Sequence, residues 1–273
     1  MIVFPNAKLN IGLNVTNKRE DGFHDIETIF YPIPLTDVLE VVENKNLSNG
    51  EYTYKSIGIE VDCAIEDNII IKAYKLIYSR YKIPGVDIHF KKTIPYGGGL
   101  GGGSSDGAFM LKLLNELFSL DISIKDLESM ALELGSDCPF FINNQPVYAT
   151  GRGEIFENIS FNIEGKFMVL VKPQLSVPTA LAYKGIQPKE STFDLRLINE
   201  INIKDWKDKV CNDFEKTVFK EYKQISEIKN KLYNLGAEYT SMTGSGATVF
   251  AIFNNPVDLK DKFDNCFYWS SKL

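Results

Sequence analysis

The sequence predicts a mixed fold of α-helices and β-strands, arranged as one large domain or two closely packed ones. Three observations carry that prediction. Apolar residues alternate with polar ones in short runs, such as Ala7, Leu9, Ile11 and Leu13 or Val86, Ile88 and Phe90, which is the period of a half-buried strand. Elsewhere they recur three or four apart, as in Ala108, Leu111, Leu114 and Phe118, the period of a helix that packs on one face. A glycine-rich loop joins a run of the first kind to a run of the second. With 273 residues, 44% of them hydrophobic, the chain can build a sizeable core.

Residues 2–15 read as a strand pair or one bent strand. Opposite its apolar side stand Asn6, Lys8, Asn10 and Gly12, either a solvated sheet face or the charged, amide-rich wall of a cleft. A turn-rich loop, residues 17–22, leads to Phe23 and His24 and then to Ile26, Thr28 and Phe30 in alternation. Strands are expected at 38–43 and 52–61, joined as a hairpin through polar residues 44–51 with their Asn49-Gly50 turn. Glu66-Asp67-Asn68 opens a helix with Ile69, Ala73, Leu76, Ile77 and Tyr81 on one face. Strand 86–94 precedes the glycine loop, and Ser104 or Ser105 is the expected cap of the helix after it. The next helix, 124–134, is opened by Ser123 or Asp121 and stopped by Gly135.

Asp137 lies in Gly135-Ser136-Asp137-Cys138-Pro139-Phe140-Phe141. It either caps a short helix begun at Cys138-Pro139 or carries chemistry. Residues 147–150 form a short strand, and Gly151-Arg152-Gly153-Glu154 a glycine turn with a basic residue. The second half opens with a strand at 167–171, and Val177-Pro178-Thr179 starts a short helix that leads to Tyr183. Residues 184–209 are polar and irregular. Helix 222–235 puts Ile225, Ile228, Leu232 and Leu235 on one face, and residues 241–250 read as strand, glycine turn, strand.

The loop itself has six glycines in the seven positions 97–103, a large entropic cost unless something uses them. The use is anion binding: glycines let backbone N–H groups converge, and the helix N-terminus adds unsatisfied donors and the positive end of its dipole. Ser104 or Ser105 can also touch a phosphate or its metal. A Walker A loop is excluded, since no lysine separates Gly103 from Ser104. A dinucleotide fingerprint, Gly97-x-Gly99-x-x-Gly102, is formally present but weak. Asp121, at a tolerable distance, precedes a new helix rather than ending a second parallel strand. A flexible surface hairpin is disfavoured by the strong elements on either side. A phosphate loop of non-Walker type remains.

Composition narrows the partners. A formal net charge of −6 gives no nucleic-acid footprint. Four cysteines far apart match no zinc spacing and suit reduced packing thiols in a cytoplasmic protein. The apolar run at the N-terminus is too short for a signal peptide, and no stretch approaches the ~20 residues of a membrane helix.

Pro95-Tyr96-Gly97-Gly98-Gly99-Leu100-Gly101-Gly102-Gly103-Ser104-Ser105-Asp106 resembles the central ATP-binding motif of the GHMP kinases. Pro5-x-Ala7-Lys8-x-Asn10 and Ser241 to Phe250 resemble their first and third motifs. Gly22-Phe23-His24, the Asp137 segment and the Arg152 turn are similar to the branch that phosphorylates 4-diphosphocytidyl-2-C-methyl-D-erythritol. Departures are mild: Gly98 and Gly107 stand where alanine is common, and Phe23 where tyrosine is.

The resemblance implies two α+β domains, 1–155 with a ribosomal protein S5 domain 2-like arrangement and 156–273 with a ferredoxin-like sheet. It implies ATP-dependent phosphorylation of the 2-hydroxyl of that small cytidyl diphosphate substrate. ATP would be held by Asn68, Lys92 and residues 95–105. Lys8 and Asp137 would be catalytic, with Asn10, Phe23, His24, Phe30, Arg152, Thr179 and Tyr183 around the acceptor. Asn212-Asp213-Phe214-Glu215 resembles a structural motif. Mg2+ is expected with ATP, although no carboxylate pair claims it. No nucleic-acid or membrane partner is expected, and the chain is expected as a monomer or weak homodimer. The rival functions are a homoserine- or mevalonate-type kinase of the same superfamily and a dinucleotide-binding oxidoreductase.

Overall fold

The structure, a computed structural model, describes residues 1–61 and 63–273. In chain order come β1 (Ile2–Val3), β2 (Asn6–Lys18), β3 (His24–Thr36), β4 (Val38–Glu43), β5 (Tyr52–Gly58), α1 (Ile69–Tyr81) and β6 (Val86–Lys92). Then follow α2 (Gly102–Leu117), α3 (Ile124–Leu134), α4 (Phe140–Asn143), β7 (Val147–Thr150), β8 (Ile155–Asn158), β9 (Phe167–Pro173) and α5 (Thr179–Tyr183). The chain continues through α6 (Trp206–Lys209), α7 (Phe214–Glu221), α8 (Lys223–Asn234), β10 (Tyr239–Met242), β11 (Val249–Phe253) and β12 (Cys266–Lys272). The expected mixture of helices and strands is present. Among the described residues, no helix is long and apolar enough to cross a membrane.

The chain divides into two compact units. The first comprises Met1–Ala7, Leu35–Tyr96 and Gly101–Gln145, and the second Lys8–Pro34, Gly97–Leu100 and Pro146–Leu273.

In the first unit the sheet order is β1-β4-β6-β5. The hairpin expected between β4 and β5 does not form. β6 lies between them, antiparallel to β4 and parallel to β5. The reason is topological: β5 reaches β6 through α1, the helical crossover that a parallel pair needs. Asn68 caps α1, its Oδ1 accepting from the Ile70 N–H at 2.9 Å. The buried face of α1 is Ile70, Ile71, Ala73, Tyr74 and Ile77. It differs from the expected face, where Tyr81 is exposed, because the helix packs against both α2 and α3.

The cap of α2 also differs from expectation. Its N-cap is Gly101 in the left-handed region (φ 68°, ψ 13°), with no side-chain capping bond. Ser104 and Ser105 fall at the third and fourth helical positions, too far in to cap. α3 is capped by Ser123, whose Oγ accepts from the Asp126 N–H at 3.2 Å, and it ends at Gly135, as its sequence predicted. α4 begins after Pro139 with no side-chain cap, so Asp137 is not its capping residue.

In the second unit one sheet has the order β2-β3-β7-β8 and another β10-β11-β9-β12. β2 is buried on both sides: Lys8 and Asn10 are 4% and 2% exposed, between Leu9 and Ile11 at 0%. The face opposite its apolar residues is therefore not a solvated one. α8 lays Ile225, Ile228 and Leu232 into a core that includes Val169, Val171, Val249 and Ala251 of the adjoining sheet. The structural motif behaves as expected. Asn212 Nδ2 donates to the carbonyls of Met242 (2.7 Å) and Gly244 (2.9 Å), and Glu215 Oε1 accepts from the Met242 N–H at 2.8 Å.

Candidate active site

The first unit presents the N-terminus of α2. Its hydrogen-bond ladder begins with Ser105 N–H to the Gly101 carbonyl at 2.9 Å, so the amides of Gly102, Gly103 and Ser104 precede the ladder. A Cβ on Gly103 would meet nothing within 4 Å, so the backbone is open there. Uncapped amides, the positive end of the helix dipole and open space together suit an anion.

The turn that carries Asp137 lies against this terminus. Burial pushes the Cys138 thiol up to about 12, against the lowering effect of the neighbouring Ser104 hydroxyl. Asp137 itself is half-buried.

Asn68 and Lys92 line one cavity, with Tyr54, Ser56, Ile59, Phe90 and neighbouring residues. Asn68 Nδ2 donates to the Tyr54 hydroxyl at 3.1 Å. Lys92 is 4% exposed, and its ammonium donates to Asp37 Oδ2 and Asp106 Oδ2, each at 2.6 Å. Lys92 therefore offers the cavity its alkyl stem. Burial works to lower its pKa, but the charges of Asp106 and Asp37 outweigh that and hold it above the ordinary lysine value. Asp106 goes well above the carboxylate range, first through burial and then, against the pull of Lys92, through Asp37. Asp37 is the partner of Lys92 that sequence reading missed. Its partner is 55 residues away along the chain, and a single aspartate between two strands carries no local signal.

In the second unit β2 and the β10–β11 turn hold residues 98–100. The Lys8 N–H donates to the Leu100 carbonyl at 2.9 Å, and the Thr248 N–H to the Gly98 carbonyl at 3.3 Å. Thr243 Oγ1 donates to the Gly99 carbonyl at 3.1 Å. With the carbonyls engaged by protein, what the loop has left to offer is amides. The ammonium of Lys8 donates to Asn10 Oδ1 at 2.7 Å and lies 4.4 Å from the centre of the Phe30 ring. Asn10 Nδ2 donates to Thr28 Oγ1 at 3.1 Å, and the Asn10 N–H to Thr243 Oγ1 at 3.0 Å. This network holds the lysine and the amide on one side of β2.

Aromatic residues gather further along β3. The His24 ring stacks on Tyr183 with centroids 4.8 Å apart, and Tyr183 meets Phe214 edge-on at 4.7 Å. Phe23 is half-exposed, and the Arg152 guanidinium lies 3.9 Å from its ring centre. Arg152 sits in the turn of the β7–β8 hairpin. Thr179 Oγ1 and Ser245 Oγ are 3.5 Å apart. The structure thus groups Phe23 with Arg152, His24 with Tyr183, Lys8 with Asn10 and Phe30, and Asn68 with Lys92. Pro95 is buried and Tyr96 is exposed.

Comparison with known proteins shows the family. Residues 68–145 match the family description "GHMP kinases N terminal domain", and residues 194–267 match "GHMP kinases C terminal". A Parabacteroides distasonis protein named 4-diphosphocytidyl-2-C-methyl-D-erythritol kinase is 46% identical over 275 residues, covering 100% of both chains. A crystal structure of 4-(cytidine 5'-diphospho)-2C-methyl-D-erythritol kinase superposes with a TM-score of 0.80 at 30% identity. That match covers 92% of this chain and 90% of the other. Mevalonate kinase of Methanococcus jannaschii gives a TM-score of 0.67 at 15% identity, covering 100% of this chain and 98% of that one, a likeness of fold alone.

Proposed function

Because the chain belongs to the GHMP kinases and has their two-domain fold, we propose that it transfers the γ-phosphoryl group of ATP to the 2-hydroxyl of 4-diphosphocytidyl-2-C-methyl-D-erythritol. The observation that carries this reading is the full-length, 46% likeness to a relative of that name. The uncapped N-terminus of α2 supports the phosphoryl half of it, and the aromatic group around Phe23 and His24 supports the cytidyl half. Mevalonate- and homoserine-type kinases share the fold at 14–16% identity and favour neither acceptor. A dinucleotide oxidoreductase is disfavoured, because β6 is parallel to β5 but antiparallel to β4.

Phosphoryl transfer asks the protein for alignment and charge neutralisation more than covalent chemistry. Amides at residues 97–104 hold the β- and γ-phosphates. Asn68 and the stem of Lys92 line the adenine side. Asp137 accepts or orients the proton of the acceptor hydroxyl, and Lys8 stabilises the charge that develops there. Phe23 supplies a stacking face for cytosine, His24 and Tyr183 complete the base site, and Arg152 contacts the diphosphate. Asn10, Phe30 and Thr179 position the acceptor.

Among the described residues, no group of three or more His, Cys, Asp and Glu comes together as a metal site. Mg2+ would arrive with the nucleotide, and Ser104, in the first turn of α2, would be the side chain there to meet it. When bound it neutralises phosphate charge. The sequence boundary near residue 155 separates the two matched family segments and is proposed as the division between the family's two domains.

The test is a coupled ADP-release assay with three acceptors. Turnover is expected with the cytidyl substrate and not with mevalonate or homoserine. Turnover with either of the others at a comparable kcat/KM would reject the proposed acceptor.

A further inference from the structure

The trio Asp37, Lys92 and Asp106 is more than the mechanism above uses. All three side chains are almost fully buried, at 0%, 4% and 4% exposure. As a stability device the arrangement is poor. Two carboxylates share one ammonium away from water, and a buried ion pair often returns less than its desolvation costs. Asp106 Oδ1 has no hydrogen-bond partner among the described residues.

Its geometry has a different consequence. Asp37 Oδ1 accepts from the N–H groups of Thr93 (2.5 Å) and Ile94 (2.8 Å), the two residues before Pro95. Lys92 is the last residue of β6, and Asp106 is the fifth of α2. The trio therefore ties the chain just before the glycine stretch to the helix just after it. The join is tight: a Cβ on Gly102 would stand 2.8 Å from Ile94 Cγ2 and 3.1 Å from Lys92 Nζ.

We propose that Asp37, Lys92 and Asp106 are positioning residues. They pin the two ends of the glycine stretch at a fixed separation, so that the α2 amides are already converged when the nucleotide phosphates arrive. Preorganised donors bind without the cost of ordering them, which is where such a tether contributes. Lys92 then acts through the loop, by its ammonium, rather than by touching phosphate.

The inference rests on the ATP reading above, and its test separates the two. Asp106→Ala severs the tether, whereas Asp106→Asn keeps an acceptor for Lys92. With Asp106→Ala the ATP Kd, read by calorimetry, should rise tenfold or more, and KM for ATP should rise more than kcat falls. CDP affinity should be unchanged, and amide exchange at residues 101–105 of the ligand-free protein should quicken. Asp106→Asn should restore most of each loss. If Asp106→Ala does not fold, Lys92→Met combined with Asp106→Asn removes the ion pair at similar volume and carries the same expectations for ATP and exchange. A folded severed variant with wild-type ATP affinity and wild-type exchange would overturn the tether, as would failure of Asp106→Asn to recover either. If wild-type protein does not bind ATP while exchange still responds to Asp106→Ala, the tether stands and the ATP reading falls.

Discussion

The backbone N–H of Lys8 donates to the carbonyl of Leu100 at 2.9 Å, while the ammonium of the same residue reaches Asn10 Oδ1 at 2.7 Å. One residue thus does two things. Its main chain holds Leu100 against β2, and its side chain is held at 4% exposure by Asn10 and the Phe30 ring. A lysine buried this way has exchanged solvent for a defined direction, which suits the role proposed for it.

Two glycines of the loop should fail in different ways. Gly99 has φ +73°, and a Cβ there would stand 2.1 Å from the Thr243 carbonyl oxygen. Gly99→Ala should lower stability by at least the ~1–2 kcal/mol of a left-handed non-glycine residue and weaken ATP binding with it. At Gly103 an added Cβ meets no protein atom, and alanine in a helix is favoured by roughly 0.5–1 kcal/mol. Gly103→Ala should therefore keep or raise Tm and still weaken ATP. Thermal melts and ATP calorimetry on both variants check this. Equal ATP affinity for Gly103→Ala and wild type would place the phosphates elsewhere.

Phe23 is half-exposed and carries Arg152 on its ring, so its removal should leave the fold intact. Loss of a stacking face worth ~1–3 kcal/mol should weaken cytidyl substrate about tenfold to a hundredfold in Phe23→Ala. ATP affinity should stay within about twofold, given that the loop amides are untouched. Calorimetry that finds the same loss for CDP and ATP would remove Phe23 from the base site.

Asp137→Asn should lower kcat by ~10²–10⁴-fold, the usual contribution of a positioned base, with both substrate Kd values nearly unchanged. Lys8→Met, which preserves volume at a buried position, should do likewise. In the proposed mechanism the two residues serve one transferring group, so the double variant should lose less than the product of the single losses. Single-turnover kinetics provide the readout. Wild-type turnover in folded Asp137→Asn would dismiss Asp137 as the base.

Cys138 is buried, and its thiol is pushed up to about 12, whereas Cys63 is exposed. At pH 8 the thiolate fraction of Cys138 is then about 10⁻⁴, and iodoacetamide should mark Cys63 while Cys138 stays unmodified until the protein unfolds. Peptide mapping by mass spectrometry decides it. Early labelling of Cys138 would show that its turn opens away from Ser104.

The sequence by itself determined the features written in short windows. The period-two and period-3.6 runs placed most strands and helices, Ser123 and Gly135 bounded α3, and the six glycines of residues 97–103 pointed to anion binding without a lysine. Those signals are local because propensity, capping and dihedral freedom are properties of a few neighbouring residues. Tertiary structure alone decided that β6 separates β4 from β5, since partner choice in a sheet depends on crossover geometry and not on the turn residues of either strand. It also decided that β2 is buried on both sides and that Lys92 belongs to Asp37 and Asp106. Burial and charge pairing bring together residues 14 and 55 positions apart, and no window of sequence contains the free energy that joins them.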